Sequence, residues 1–228
     1  MHFLLIGATG RTGKHVVSEL LAQGHTAVAL VRNTAALAGR KGLTVVQGSP
    51  LVMADVVKAL DASPAPLAVE AAIITLNANR VSDNPFSAQL APPRFLADSC
   101  QTVCDALRTT HNIRRVVLMS TVGVSDSWKG VPALTRAFMR WTNIKYAIED
   151  HNLVDHEIRQ TDMDWTLVRP TRLVFDDAAP PKDMDILGST GDGKMSIWDS
   201  AHTTSVARLL VKIAVEGLYV RQTIVVRD

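Results

Sequence analysis

The segment Leu4-Leu5-Ile6-Gly7-Ala8-Thr9-Gly10-Arg11-Thr12-Gly13 joins a short apolar run to a glycine-rich turn and passes at once into helical periodicity. Residues 3–6 are continuously apolar, as expected of a strand buried on both faces of a parallel sheet. Glycines at 7, 10 and 13 let the backbone turn tightly, bring amides against an anion and lay the next helix close to the strand. From 11 to 23 the residues Val16, Val17, Leu20 and Leu21 recur at helical spacing, and Gly24 stands where a helix stops. The free amides and partial positive charge at that helix's start favour a phosphate. Gly7, Thr9, Gly10, Arg11, Thr12 and Gly13 are therefore candidates to hold a dinucleotide pyrophosphate. The glycine triplet alone leaves an ordinary strand–turn–helix open; the following strand narrows the choice.

That strand, residues 26–31, ends in Arg32-Asn33, where a protein selective for NAD shows an acidic residue for the ribose hydroxyls. An arginine suits a 2′-phosphate instead. Arg32, with Asn33 beside it and help from Arg11, Arg40 or Lys41, argues for NADP(H).

Apolar strand-like runs recur at 3–6, 26–32, 43–47, 69–76, 115–120, 164–169 and 222–226, alternating with helical segments at 52–61, 94–111, 132–161 and 204–216. Such alternation predicts an α/β fold, a doubly wound parallel sheet of the Rossmann kind with about seven strands. Ligands in such sheets bind beyond the carboxyl ends of the strands. A length of 228 residues with 47% hydrophobic content fits a single domain over 1–228 with a large core. Two turn-rich stretches interrupt the rhythm. Residues 77–93 and 170–203 both follow strands at the binding edge, and long loops there are usually functional or disordered. We expect a substrate wall and a small C-terminal lid, the latter carrying Leu173, Val174, Phe175, Met184, Ile186, Leu187, Met195 and Trp198. Their apolar character points to a small hydrophobic substrate.

Charge and cysteine usage exclude other classes. Lys and Arg total 24 against 22 Asp and Glu, for a net charge of +2 with no basic block, so nucleic-acid binding has no electrostatic support. No apolar run approaches the roughly 20 residues that span a bilayer, and the N-terminal run is strand rather than signal peptide. A cytoplasmic protein without a membrane partner is expected, as a monomer or homodimer. Cys100 and Cys104, four apart on a helix, fit reduced, packed thiols. Asp150-His151 and Asp155-His156-Glu157 lack metal-ligand spacing and are read as solvated charges near a helix end.

Gly7-Ala-Thr-Gly-Arg-Thr-Gly13, Leu30-Val-Arg-Asn33, Val117-Leu-Met-Ser120 and Asp164-Trp-Thr-Leu-Val-Arg-Pro170 together resemble the atypical short-chain dehydrogenase/reductases. Within them the nearest group is the NAD(P)H-binding branch that includes NmrA-like proteins and reductases of the flavin/biliverdin type. Ser82-Asp83-Asn84-Pro85-Phe86 with Asp150-His151-Asn152 is similar to fungal members of that branch. The resemblance implies an NADP(H) cleft with the nicotinamide near Ser120 and Pro170-Thr171. It also implies backbone contacts from Thr75, Leu76 and Asn77, and adenine contacts near Ser49, which stands where relatives often carry an aspartate.

Reduction of a carbonyl needs a proton donor beside the oxygen. Main-branch members of this superfamily use serine with a tyrosine and lysine four residues apart, and here that spacing fails: Tyr146 is followed at +4 by Asp150, and Lys145 points to another side of the helix. The catalytic candidates are then Ser120, closing the fifth strand; His151, on a helical face with Ala147, Val154 and Ile158; and Tyr146 with Asp150 one turn on, where a carboxylate could orient the phenol. Trp128, Trp141 and Trp198 are candidates to line the substrate region. Three functions stand open: an NADPH-dependent reductase of a hydrophobic carbonyl, quinone or flavin-like acceptor; a non-catalytic NADP(H)-sensing regulator of NmrA type; and a redox-neutral isomerase, dehydratase or cyclase.

Overall fold

The computed structural model describes residues 1–64, 66–192 and 195–228. Its elements run β1 (His2–Ile6), α1 (Gly13–Ala22), β2 (Thr26–Val31), β3 (Leu43–Gln47), α2 (Met53–Asp61), β4 (Ala71–Ile74), α3 (Phe95–His111) and β5 (Arg115–Met119). A 3-10 helix (Ser125–Gly130) follows, then α4 (Ala133–Trp141), α5 (Ile144–Ile158), β6 (Asp164–Pro170), β7 (Arg172–Val174), β8 (Asp185–Ile186), β9 (Ser200–His202), α6 (Thr203–Glu216) and β10 (Gln222–Arg227).

The main sheet has eight strands in the order β3-β2-β1-β4-β5-β6-β10-β8. The seven parallel strands coincide with the seven apolar runs of the sequence; the eighth, β8, pairs antiparallel with β10 through Val226 and Ile186. Strand order reverses at β1, whose neighbours are β2 on one side and β4 on the other. A crevice opens at such a reversal, beyond the strand ends.

Each central strand feeds two cores because its side chains alternate. Leu4 and Ile6 of β1, with Val28, Leu30, Ala72, Ile74, Val116 and Leu118, face Val56 and Leu60 of α2, Leu96, Val103 and Leu107 of α3, and Val154 and Ile158 of α5. Phe3 and Leu5, with Ala27, Ala29, Ile73, Val117 and Val168, face Val16, Val17 and Leu20 of α1 and Val206, Leu210 and Ile213 of α6. Full burial of each such large side chain contributes about 1.5–3 kcal/mol, which explains why the strands read as unbroken apolar runs. Cys100 and Cys104 are free and buried in the first of these cores, as expected; a hydrogen bond to Cys104 and burial push the Cys100 thiol well above its ordinary pKa.

One sequence reading is corrected and another refined. The helical segment 132–161 is two helices: Thr142 leaves the helix in an extended conformation, and Asn143 opens α5. The Asn143 amide donates to the Pro85 carbonyl at 2.8 Å, and its side-chain nitrogen donates to the carbonyls of Phe86 and Ser87 at 2.9 and 3.0 Å. Residues 170–203, of which 193–194 lie outside the described residues, carry the small parallel pair β7–β9 and the edge strand β8 where the sequence suggested only loop, and Arg172, Leu173, Phe175 and Ile197 among them line a cavity at the carboxyl ends of the strands. Within that stretch Leu187 is buried beside Val225, and Leu173 and Met184 pack on the α1/α6 core.

Candidate active site

The turn between β1 and α1 shows why three glycines are needed. Gly7 has φ +88°, and a Cβ there would meet the Thr75 carbonyl carbon and oxygen at 2.8 Å. A Cβ at Gly13 would stand 2.1 Å from the Gly7 carbonyl oxygen, so α1 starts against the turn itself. Gly10 bonds back to that oxygen at 2.9 Å and is exposed on its outer side. The start of α1 is left open: it has neither a side-chain cap nor an acidic residue in its first turn, and the amides of Arg11, Thr12 and Gly13 donate to no acceptor among the described residues. Three free N–H groups at the positive end of a helix fit a diphosphate.

From this turn a cavity of about 1130 Å³ runs across the carboxyl ends of β1, β4, β5 and β6. Gly7, Thr9, Gly10, Arg11, Thr12, Arg32, Ser49, Thr75, Leu76, Asn77, Ser120, Pro170 and Thr171 all line it. Gly13 is buried behind the turn. Arg32 is exposed at the end of β2, and its guanidinium has no hydrogen-bond or ionic partner among the described residues, leaving it open to an anion. Asn33 stands outside the lining, where its Oδ1 accepts from the Ala35 amide at 3.0 Å. Arg40 likewise turns away, toward Ser18. Ser49 is fixed by its own amide on Asp55 at 2.8 Å and by accepting from Leu51.

Arg11 does more than border the turn. Its guanidinium makes a two-pronged pair with Asp83 at 2.9 and 3.0 Å and lies 3.7 Å over the Phe175 ring, joining loop 77–93 to the segment after β7. Asp177 pairs with Lys14 and with His15 at 2.9 Å, contacts that hold its carboxyl below the usual carboxylate range.

Past Ser120 the cavity becomes apolar, walled by Val122, Val131, Leu134, Phe138, Met139 and Ile148. Three polar side chains punctuate this inner end. The buried hydroxyls of Ser120 and Thr171 have no hydrogen-bond partner, and His151 borders the same space. Burial, helped by the nearby Arg169 charge, lowers the His151 pKa to about 4, so its ring is neutral near pH 7.

Two catalytic candidates lie elsewhere. Asp150 is buried at 4% exposure and accepts from the Leu96 and Ala97 amides at 2.8 and 3.0 Å, capping α3. Tyr146 is 44% exposed, with Lys145 Nζ 5.0 Å above its ring, and so cannot pair with a carboxylate that points into the core. The tryptophans do not line the cavity either: Trp141 and Trp198 are 85% and 80% exposed, and Trp128 packs under Arg140. Asp155 is not solvated. It pairs at 2.7 Å with Arg169, a fully buried arginine that also pairs with Asp126, and it holds Arg159 at 3.0 Å. Among the described residues no cluster has the make-up of a metal site, and no helix is long and apolar enough to cross a membrane.

The apolar wall from 122 to 139 was missed in the sequence. Its signal was the pair Leu134 and Phe138, one turn apart on a helix that buries no residue.

Comparison with known proteins accords with this geometry. The chain covers in full, and spans 97% of, the structure of the anaerobillin reductase ChuY from Escherichia coli O157:H7, at 19% identity and a TM-score of 0.75. A short-chain dehydrogenase/reductase from Veillonella parvula, solved in complex with NADP, is 15% identical over all of this chain and 94% of its own, with a TM-score of 0.76. A putative NAD-dependent epimerase/dehydratase from Bacillus halodurans is 18% identical over all of this chain and 94% of its own, with a TM-score of 0.73. At these identities the likeness is one of fold. No curated protein matches the sequence. The model of the NAD(P)H-binding family matches residues 7–216, from the first glycine of the phosphate turn to the end of α6, and the chain belongs to that family.

Proposed function

We propose that this protein is an NADP(H)-dependent oxidoreductase that reduces a small hydrophobic carbonyl, quinone or flavin-like acceptor, and that within its family it stands with the atypical short-chain dehydrogenase/reductases near the NmrA-like and flavin/biliverdin reductase types. The observation that carries this reading is one continuous cleft whose two ends differ in chemistry. Open helix amides and an unpaired Arg32 occupy one end; apolar walls around the unpartnered Ser120 hydroxyl occupy the other. The amides of Arg11, Thr12 and Gly13 would hold the pyrophosphate, and Arg32 the 2′-phosphate. Thr75, Leu76 and Asn77 would border the cofactor along β4, Ser49 its adenine end, and Pro170 and Thr171 its nicotinamide end. The cofactor supplies hydride; the chain supplies orientation and a space poor in water.

A titration with NADPH and NADH, followed by stopped-flow oxidation of bound NADPH by quinones, flavins and aromatic ketones, tests the reading. Tight NADPH binding with acceptor-dependent oxidation supports it; tight binding without oxidation by any acceptor refutes it. The exposed position of Tyr146, which leaves the cleft without the usual phenol, favours the NADP(H)-sensing regulator as the second reading. A partner protein captured only with cofactor bound, with no turnover, is its signature.

A further inference from the structure

We propose that Arg172 sets the specificity of the substrate end of the cavity by holding a carboxylate on an otherwise apolar acceptor, so that the protein takes an acceptor acid in preference to its neutral analogue. This deepens the reductase reading and rests on it for the acceptor's part in hydride transfer.

The charges along the cavity are unevenly committed. Arg11, Arg32, Arg80 and Arg172 border it, against the two acids Asp83 and Asp199. Both acids already have partners: Asp83 forms the two-pronged pair with Arg11, and Asp199 receives Arg227, which reaches both carboxylate oxygens at 3.1 Å. Arg80 donates to the Asn84 carbonyl at 3.5 Å within its own loop, and Arg32 is the cation matched to the cofactor's 2′-phosphate. Arg172 is left over. It is exposed, and its guanidinium has neither a hydrogen bond nor an ion pair among the described residues.

Its place in the fold suits an acceptor rather than the cofactor phosphates. Arg172 opens β7 directly after Pro170 and Thr171, at the end of β6, whereas Arg32 follows β2, four places away in the sheet order β2-β1-β4-β5-β6. At about 4.8 Å per strand the two strand ends stand on the order of 19 Å apart, so the two arginines serve different groups. The backbone at Arg172 is pinned: the Thr171 amide donates to the Val226 carbonyl at 3.0 Å, and Arg172 pairs with Ser200 across β7–β9. The acids near it in the chain or next to its paired strand are engaged elsewhere, Asp176 with the Ala178 amide, Asp177 with Lys14 and His15 and Asp228 with His202. One free guanidinium matches the single charge and planar fork of a carboxylate better than a phosphate dianion. The apolar wall at 122–139 would take the rest of the molecule, and an anion entering such surroundings needs a paired cation.

The test uses the full-length protein saturated with NADP⁺, which occupies Arg32, and two probes of like shape, 2-naphthoate and 2-acetonaphthone, titrated by ligand-observed NMR so that no turnover is needed. Naphthoate should bind about five- to twentyfold more tightly than the ketone, the range of one partly exposed arginine–carboxylate pair, and the preference should shrink as salt is raised. Arg172→Gln breaks no hydrogen bond or ion pair among the described residues and should fold normally. It should abolish the preference while leaving 2-acetonaphthone and NADPH each within about twofold; Arg172→Lys, which keeps the charge without the fork, should restore part of it. Equal binding of the two probes, binding of neither, a preference that survives Arg172→Gln, or 2-naphthyl phosphate held more tightly than naphthoate through the same residue would overturn the proposal. So would a loss of NADPH affinity of about tenfold in Arg172→Gln, which assigns the guanidinium to the cofactor. Failure of the reductase reading looks different: naphthoate binds through Arg172, yet no acceptor oxidises NADPH.

Discussion

Asp150 offers a sharp test of structure against sequence pattern, because its position beside His151 marks it as catalytic while its hydrogen bonds mark it as a cap. Its carboxylate accepts from the first two free amides of α3 at 2.8 and 3.0 Å. Arg94, which precedes the helix with φ 61°, provides no side-chain cap of its own. Replacing Asp150 with alanine leaves two buried N–H groups unsatisfied, at about 1–3 kcal/mol each before water enters. It also removes a negative charge from the positive end of a 17-residue helix, which contributes a further few tenths to about 2 kcal/mol. Relaxation recovers part of this, and we expect a net loss of about 2–4 kcal/mol. At about 2 °C per kcal/mol for a chain of this length, the melting temperature should fall by about 4–8 °C. Urea unfolding should show a lower midpoint with an unchanged slope. Affinity for NADPH should stay within about twofold, since Asp150 does not line the cavity. A stability loss below about 0.5 kcal/mol, or full stability with collapsed turnover, would refute the capping argument.

Other expectations follow from the same geometry. Arg32→Ala should weaken NADPH by about 10- to 100-fold, the range of one or two charge-assisted hydrogen bonds, and leave NADH within about twofold; parallel titrations decide it. Gly13→Ala places a methyl 2.1 Å from the Gly7 oxygen and should both lower the melting temperature and abolish cofactor binding; a variant that binds NADPH normally would contradict the close approach. Because His151 has a folded-state pKa of about 4 against 6.5 when unfolded, its contribution is complete above pH 6.5 and lost as pH falls toward 4. That amounts to about 3 kcal/mol, so the stability–pH curve of His151→Phe should be flatter than wild type over that window. Asp83→Ala breaks an exposed pair and should change stability by less than about 1 kcal/mol, measured by thermal unfolding.

The sheet was legible because its inner strands are buried on both faces, which writes apolar runs into the sequence, while the edge strand β3 is only partly buried yet keeps Leu43, Val45 and Val46. The phosphate turn was legible for a local reason: its glycines answer backbone constraints set within ten residues. What escaped was set by distant partners. Nothing near Asp150 in the chain announces the α3 amides some fifty residues earlier, so its adjacency to His151 read as chemistry. The charges at Asp155 and Arg169 read as a solvated helix end and a strand end, yet each is the other's buried partner. Exposed tryptophans looked like pocket walls because size and apolarity say nothing about direction. The break at Thr142 and Asn143 was hidden because apolar residues keep helical spacing on both sides of it.

That break has its own consequence for how the chain tolerates change. In an uninterrupted helix the Asn143 amide would be spent on a carbonyl four residues back; freed, it and the side chain take up three carbonyls of residues 85–87. Together with Arg11 on Asp83, this gives loop 77–93 two fixed attachment points only a few residues apart. An insertion between Asp83 and Pro85 would have to bulge against both moorings, and one between Asn79 and Ser82 would break the pairing of Asn79, Arg80 and Val81 with residues 88–91. Length variation in this loop, across natural or engineered variants, is therefore expected to spare residues 79–91.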